Sequence, residues 1–257
     1  MNLKLAATRP WFVFLAALLL ATGLVCGCDR PEPASPPVPP PEPDLAQQLA
    51  LGRSLQSSGD AASGKAGSGK VGIVELRETA VDDAMLQQFR EDDDWVKTLI
   101  LDAGQVHDEG AAAIARLPNL RHLRLRHSPL TDQALQELAG QSTLQILNLP
   151  QSDATAAGVG ALARLPALRS LRLGGERLGP ETAEAVASIA TLRSVHLIGV
   201  PINDAGLKKI AALPKLRSLY VDDSRVTSDG WDWFFEHHRQ VHVHVNQKHL
   251  DRDQEHP

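Results

Sequence analysis

The chain has 257 residues, 43% hydrophobic, 22% charged and 4% aromatic, with a formal net charge of −5. The apolar share suffices for a core, and the acidic balance gives no global attraction to nucleic acid. Its two cysteines, Cys26 and Cys28, both end an N-terminal apolar run, so the rest of the chain holds neither disulfide nor thiolate metal site.

Residues 1–28 have the layout of an export signal. Lys4 and Arg9 precede the charge-free stretch Trp11 to Val25, which is short for a membrane-spanning helix of about 20 apolar residues. Residues 29–70 read as a disordered linker. Pro31 to Pro43 predicts an extended polyproline segment reaching roughly 40 Å, and Ser57 to Lys70 is Gly/Ser-rich. Only Asp44 to Ser54 offers a short helix, around Leu45, Leu49 and Leu55. Gly64 to Lys70 reads G-x-x-x-x-G-K, but Val71 stands where a phosphate loop needs Ser or Thr for Mg²⁺. Nucleotide binding is therefore not expected.

From Val71 to about Asn246 one pattern returns every 24 residues. Leu120 to Thr143 displays it best, and the frame restarts at Val96, Leu144, Leu168, Leu192 and Leu216, with looser copies at Val71 and Gln240. With Leu120 as position zero, positions +3 and +5 are apolar and alternate with polar +2 and +4, as in a short strand with one buried face. A further apolar residue falls at +10 and an aspartate at +12: Asp83, Asp108, Asp132 and Asp204. These aspartates precede a helical run, where such a side chain caps the helix. Apolar spacing at +15, +18 and +21 gives that helix one buried face. Small residues at +14, such as Gly110, Gly158 and Gly230, are read as letting helix and strand approach closely. Pro118, Pro166 and Pro214 stop the helix. The third repeat has Ala156 in place of the aspartate, so looser structure is expected from Ser152 to Ala157. At the front, Met85 to Phe89 reads as helix and Glu91 to Asp94 as a solvated acidic loop. At the back, Trp231, Trp233, Phe234 and Phe235 read as a cap. Domain limits follow: 71–248 for the repeats and 249–257 for a polar tail.

The L-x-x-L-x-L head and the L/I-T-D-x-x-L step resemble bacterial leucine-rich-repeat proteins, and also the eukaryotic F-box-associated kind, although no F-box is present. The resemblance implies an α/β right-handed solenoid with a curved parallel sheet and helices on the convex side. It also implies recognition of a protein or glycan by the concave face. Val25-Cys26-Gly27-Cys28 resembles a bacterial lipobox, which would make Cys28 the acylated first residue of the mature chain. The alternative is an uncleaved signal anchor. Either way the expectation is an exported, membrane-anchored protein facing the periplasm or exterior.

No nucleophile elbow, H-E-x-x-H, Cys–His pair or calcium loop occurs in the repeat region, so neither an enzyme nor a cofactor is expected. The outward strand positions nominate a ligand-binding set on the concave face: His122, Arg124, Asn148, Arg172, His196, Tyr220 and His244. A cationic column at +1, Lys97, Arg121, Arg169, Arg193 and Arg217, adds to Arg126 and predicts a positive face for an acidic protein segment or an anionic glycan. Nucleic acid is not a natural partner for an exported chain, and a monomer is expected. The other candidate is a metal site of His242 and His244, alternating on one strand, with His249 or Asp222 or Asp223 as a further ligand.

Overall fold

The structure, a computed structural model, describes residues 41–57 and 72–249. The export signal, Cys28, the polyproline stretch up to Pro40, the Gly/Ser-rich stretch from Ser58 and the tail beyond His249 lie outside the described residues.

The leucine frame builds one sheet of nine strands in sequence order. The first four strands are β1 (Ile73–Leu76), β2 (Thr98–Leu101), β3 (His122–Leu125) and β4 (Ile146–Leu149). Then come β5 (Ser170–Gly174), β6 (Ser194–Ile198), β7 (Ser218–Asp222) and β8 (His242–Val245), and all eight are parallel. Leu99, Leu123, Leu147, Leu171, Val195, Leu219 and Val243 are successive partners, so the register advances by one sequence repeat per strand. The same backbone bond recurs at each strand head, from Thr98 N donating to Gly72 O (2.9 Å) through to His242 N donating to Arg217 O (2.8 Å). The leucines at +0, +3 and +5 are almost wholly buried; Leu144, Leu147 and Leu149 are at most 1% exposed. Each contributes roughly 1.5–3 kcal/mol that a single repeat could not recover alone.

The helices are α2 (Asp83–Leu86), α3 (Asp108–Ala115), α4 (Asp132–Leu138), α5 (Ala156–Ala161), α6 (Thr182–Ala187), α7 (Asp204–Ala211) and α8 (Ser228–His237). The recurrent aspartates do not cap their own helices, which corrects the sequence reading. The cap is the residue before: Asp82, Thr131, Thr155, Asn203 and Thr227 each accept from an N–H two or three residues on. The aspartate at the first helical position reaches across to the next repeat instead. Asp132 Oδ1 accepts from Thr155 N (2.7 Å) and Oδ2 from Thr155 Oγ1 (2.7 Å). Asp204 holds Thr227 in the same way, at 2.8 and 2.7 Å. Each carboxylate thus fixes the cap of the following helix.

This clamp accounts for the glycine at three of the +14 positions. A Cβ on Gly158 would overlap Asp132 Oδ1, and one on Gly110 or Gly230 would overlap Asp83 or Asp204. Close approach is the reason for glycine here, but to a carboxylate rather than to a strand. Burial pushes the Asp132 carboxyl upward, yet the hydrogen bonds from Thr155 and Gly158 outweigh it and hold the pKa below its ordinary value. Its stabilisation is therefore complete above the unfolded value of about 3.9 and is lost as pH falls through the lower folded value.

The third repeat is not loose. Ser152 is 2% exposed and donates from both N (2.9 Å) and Oγ (3.2 Å) to Gly174 O, while Thr155 supplies the cap. What Ala156 removes is the clamp on the fourth repeat, where Thr182 fills the +14 position and is fully buried.

Both sheet ends are covered. The short helix expected within the linker at Asp44 to Ser54 is present as α1 (Leu45–Ser57), and it packs as part of the repeat domain, with Leu45 and Leu49 buried. Gln48 Nε2 donates to Glu75 O (2.9 Å) and Gln48 Oε1 accepts from Glu75 N (3.0 Å), so one amide side chain replaces the missing neighbour strand at the middle of β1. Glu42 accepts from the N–H groups of Arg77, Glu78 and Thr79. The acidic run is not merely solvated either: Asp93 is fully buried and holds Arg53 Nε and Nη2 at 2.7 Å each, with Trp95 Nε1 at 3.2 Å. A lone buried carboxylate would be costly, and the bidentate arginine removes that cost. At the other end, β9 (Lys248–His249) turns back antiparallel to β8 through Asn246 and Gln247, both at positive φ as a tight hairpin requires. The sheet therefore has one strand more than its eight repeat heads. Phe234 is wholly buried and Trp231 is 9% exposed beneath this end.

Two glycines of α5 separate the clamp from simple helix propensity. Gly158→Ala meets Asp132 and should lower unfolding free energy by about 1–3 kcal/mol in urea titrations. Gly160 has nothing within 4 Å of an added Cβ, so Gly160→Ala should raise stability by up to about 1 kcal/mol. Equal effects would contradict the clamp.

Candidate functional site

Strand alternation sends the +3 and +5 side chains into the core and the +2 and +4 side chains to the opposite, open face of the sheet. The register then sorts that face into rows. One row runs through Arg124, Asn148, Arg172, His196, Tyr220 and His244, and another through His122, Ile146, Ser170, Ser194, Ser218 and His242. All seven residues nominated from sequence lie on this face, each partly exposed. The row ends differ in chemistry: arginine and asparagine sit centrally, and rings gather toward β8.

The face is not uniformly positive, because the strand pattern continues to +6. There Asp102 and Asp222, which a tally of cations alone overlooks as partners, meet the nominated residues. Arg124 Nη2 donates to Asp102 Oδ2 (2.8 Å), and Arg77 Nη1 lies 3.6 Å from the same oxygen. His196 Nε2 lies 3.0 Å from Asp222 Oδ2. Arg124 and His196 are thus engaged internally. Arg172 and Arg126 form no ion pair among the described residues, and Arg172 loses proton affinity through burial and through the nearby charges of Arg126 and Arg124, with Asp222 opposing. Several polar atoms here are buried without a hydrogen-bond partner: Asp102 Oδ1, Arg124 Nε, Asn148 Oδ1 and Arg172 Nε. They are four of the six such atoms among the described residues, so unused bonding capacity concentrates on this face.

The cationic column lies at the strand heads. Lys97, Arg121, Arg169, Arg193 and Arg217 are exposed, and none forms an ion pair with a carboxylate among the described residues. It forms a rim, separate from the half-buried rows.

Toward β8 the rings stack. Tyr220 lies 5.0 Å from His244 with rings 30° apart, and 5.4 Å from His196. His242 and His244 face the same side, as alternation requires, and their Nε2 atoms are 2.7 Å apart, so one must donate a shared proton to the other. Asp222 is engaged with His196, and the side chain of His249 lies outside the described residues. Among the described residues no group of three or more His, Cys, Asp or Glu side chains is arranged to hold a metal ion. Nor is any described helix long and apolar enough to cross a membrane.

His122 carries a signature of its surroundings. Burial lowers its pKa, and the Arg124 charge lowers it further. Its NMR titration should therefore fall below the ordinary value of about 6.5, leaving the ring neutral at pH 7, and should move upward in Arg124→Gln. An unmoved midpoint would separate the two residues.

The "Leucine Rich repeat" family matches residues 116–139, which hold β3 and the whole of α4. No curated protein sequence matches the chain. Among solved structures, internalin C2 from Listeria monocytogenes is similar at 19% identity over 68% of this chain and 80% of its own, with a TM-score of 0.47. The ectodomain of the plant receptor kinase GASSHO1/SCHENGEN3 from Arabidopsis thaliana, solved in complex with CASPARIAN STRIP INTEGRITY FACTOR 2, is similar at 14% identity and a TM-score of 0.42. The match covers 68% of this chain and 24% of that one, about a quarter of the ectodomain's length. With its register of one βα unit per repeat and a matched repeat at its centre, the chain folds as an α/β leucine-rich-repeat solenoid.

Proposed function

We propose that this chain is a non-catalytic recognition module that binds a protein or an anionic envelope ligand across the open sheet face. Leucine-rich-repeat folds commonly serve as protein-binding modules, although the fold alone names no ligand. The observation that carries the reading is the cluster of buried, unpartnered polar atoms at Asp102, Arg124, Asn148 and Arg172. Buried polar groups are ordinarily bonded, and a face that leaves several unmet is suited to a partner that meets them. The reading includes export and tethering through an acylated Cys28, or through an uncleaved anchor, with the repeats presented outside the cytoplasmic membrane as a monomer.

A photo-crosslinking side chain at Ser194, on the face, should capture a discrete partner in native cells. The same group at Gln136, exposed on α4, should not, and Arg172→Glu should abolish the Ser194 adduct. Identical adducts from both positions, or an adduct indifferent to Arg172→Glu, would remove the face from the account. Intact mass of the mature N-terminus tests the lipid.

A second reading has one observation in its favour, the 2.7 Å approach of His242 Nε2 to His244 Nε2. Two imidazoles so placed can turn toward one Zn²⁺, Ni²⁺ or Cu²⁺ ion. Calorimetric titration with Zn²⁺ should then show binding that vanishes in His242→Ala/His244→Ala. Heat unchanged by the double substitution would rule the pair out as ligands.

A further inference from the structure

We propose that Arg126, Asn148 and Arg172 form a subsite for one acidic side chain of an extended peptide, with Ile146 receiving a neighbouring apolar residue. The inference rests on the recognition reading above and narrows its ligand.

On these rows Arg124 is compensated by Asp102 and His196 faces Asp222, which leaves Arg126 and Arg172 as the cations without a carboxylate bonded to them among the described residues. Arg124, Asn148 and Arg172 are consecutive in one row, and Arg126 follows Arg124 by two residues, so the three arginines share one region of the face, where the charges of Arg126 and Arg124 bear on Arg172. Such a cluster is stabilised by an oxyanion, and a guanidinium takes a carboxylate through paired N–H donors.

Hydrogen-bond accounting then selects the class. Arg172 Nε is a buried donor lacking an acceptor, and Asn148 Oδ1, one strand away in the same row, is a buried acceptor lacking a donor. A ligand that satisfies both must offer an oxyanion beside an N–H or O–H. A peptide offers both, an acidic side chain next to a backbone amide. Ile146, two residues before Asn148 on β4 and 38% exposed, is the one large exposed hydrophobic on this face among the described residues. On the half-buried rows, an apolar neighbour and a single pair of cations without an ion pair among the described residues suit an isolated carboxylate in a peptide. A glycan with regularly repeated charge would instead follow the exposed rim of Lys97, Arg121, Arg169, Arg193 and Arg217, which lies apart from this pair.

The test uses the full ¹⁵N-labelled chain in detergent, observing the arginine Nε–H signals. The probe is N-acetylglutamate N-methylamide, compared with its glutamine analogue, inorganic phosphate and glucuronate. Saturable shifts at Arg172 Nε–H with the glutamate probe, weaker by about tenfold or more with the glutamine analogue, are expected. Arg172→Gln and Asn148→Leu should each abolish saturation seen at Arg126. Equal response to the glutamate and glutamine probes overturns the subsite. Tighter binding of phosphate or glucuronate overturns the peptide assignment in favour of a phosphorylated or glycan ligand. Loss of the subsite with the Ser194 crosslink intact would leave the recognition face standing without this anchor.

Discussion

Each βα turn on its own presents leucine to water on two flat sides, and only the next turn in register removes it. That contact repeats from β1 to β8 through one hydrogen-bond ladder, so the stack is held as a unit rather than as separate blocks. Carboxylates reinforce it on the helical side. Asp83, Asp108, Asp132 and Asp204 each grip the first residues of the following helix, and the glycines at 110, 158 and 230 leave room for them. The break at Ala156 falls where Thr182 fills the corresponding space, so packing there takes over from charge.

A stack that grows by repetition must also stop. At the front, Gln48 imitates a strand with one amide, and the Arg53–Asp93 pair fixes α1 in place. At the back, a tight turn folds β9 onto β8, and Trp231 and Phe234 close the core beneath. Covered edges leave the open sheet face as the surface where polar side chains are half-buried and incompletely bonded. Four of the six buried polar atoms without a partner among the described residues lie there, which is why the proposed recognition is assigned to that face.

The leucine frame was legible because its partners stand at one fixed separation, and so was the identity of the +2 and +4 side chains on the open face. Chemistry that crosses between repeats was not. An aspartate preceding a helical run satisfies the rule for a cap, and a one-residue offset turned Asp132 from its own cap into a clamp on Thr155. Helix α1 was faint because Gln48, Gly52 and Arg53 take meaning only from Glu75, Trp95 and Asp93, 27 to 43 positions away. The charge of the face was misjudged for a similar reason. Counting arginines at +4 ignores Asp102 and Asp222 at +6, which the extended strand brings beside Arg124 and His196. What remained visible was the pair at the centre of the proposed subsite, Arg172 and Asn148.

The account depends on alternation along each strand, and the absence of cysteine after Cys28 makes that directly measurable. Single cysteines at Ser170, Ser194 and Ser218, and at Leu171, Val195 and Leu219, can be timed against a soluble maleimide and read by peptide mass spectrometry. The serine series should react at once in the folded protein, and the leucine and valine series only when denaturant unfolds it. Equal rates in the two series, or the opposite order, would mean that the sheet has no such open face.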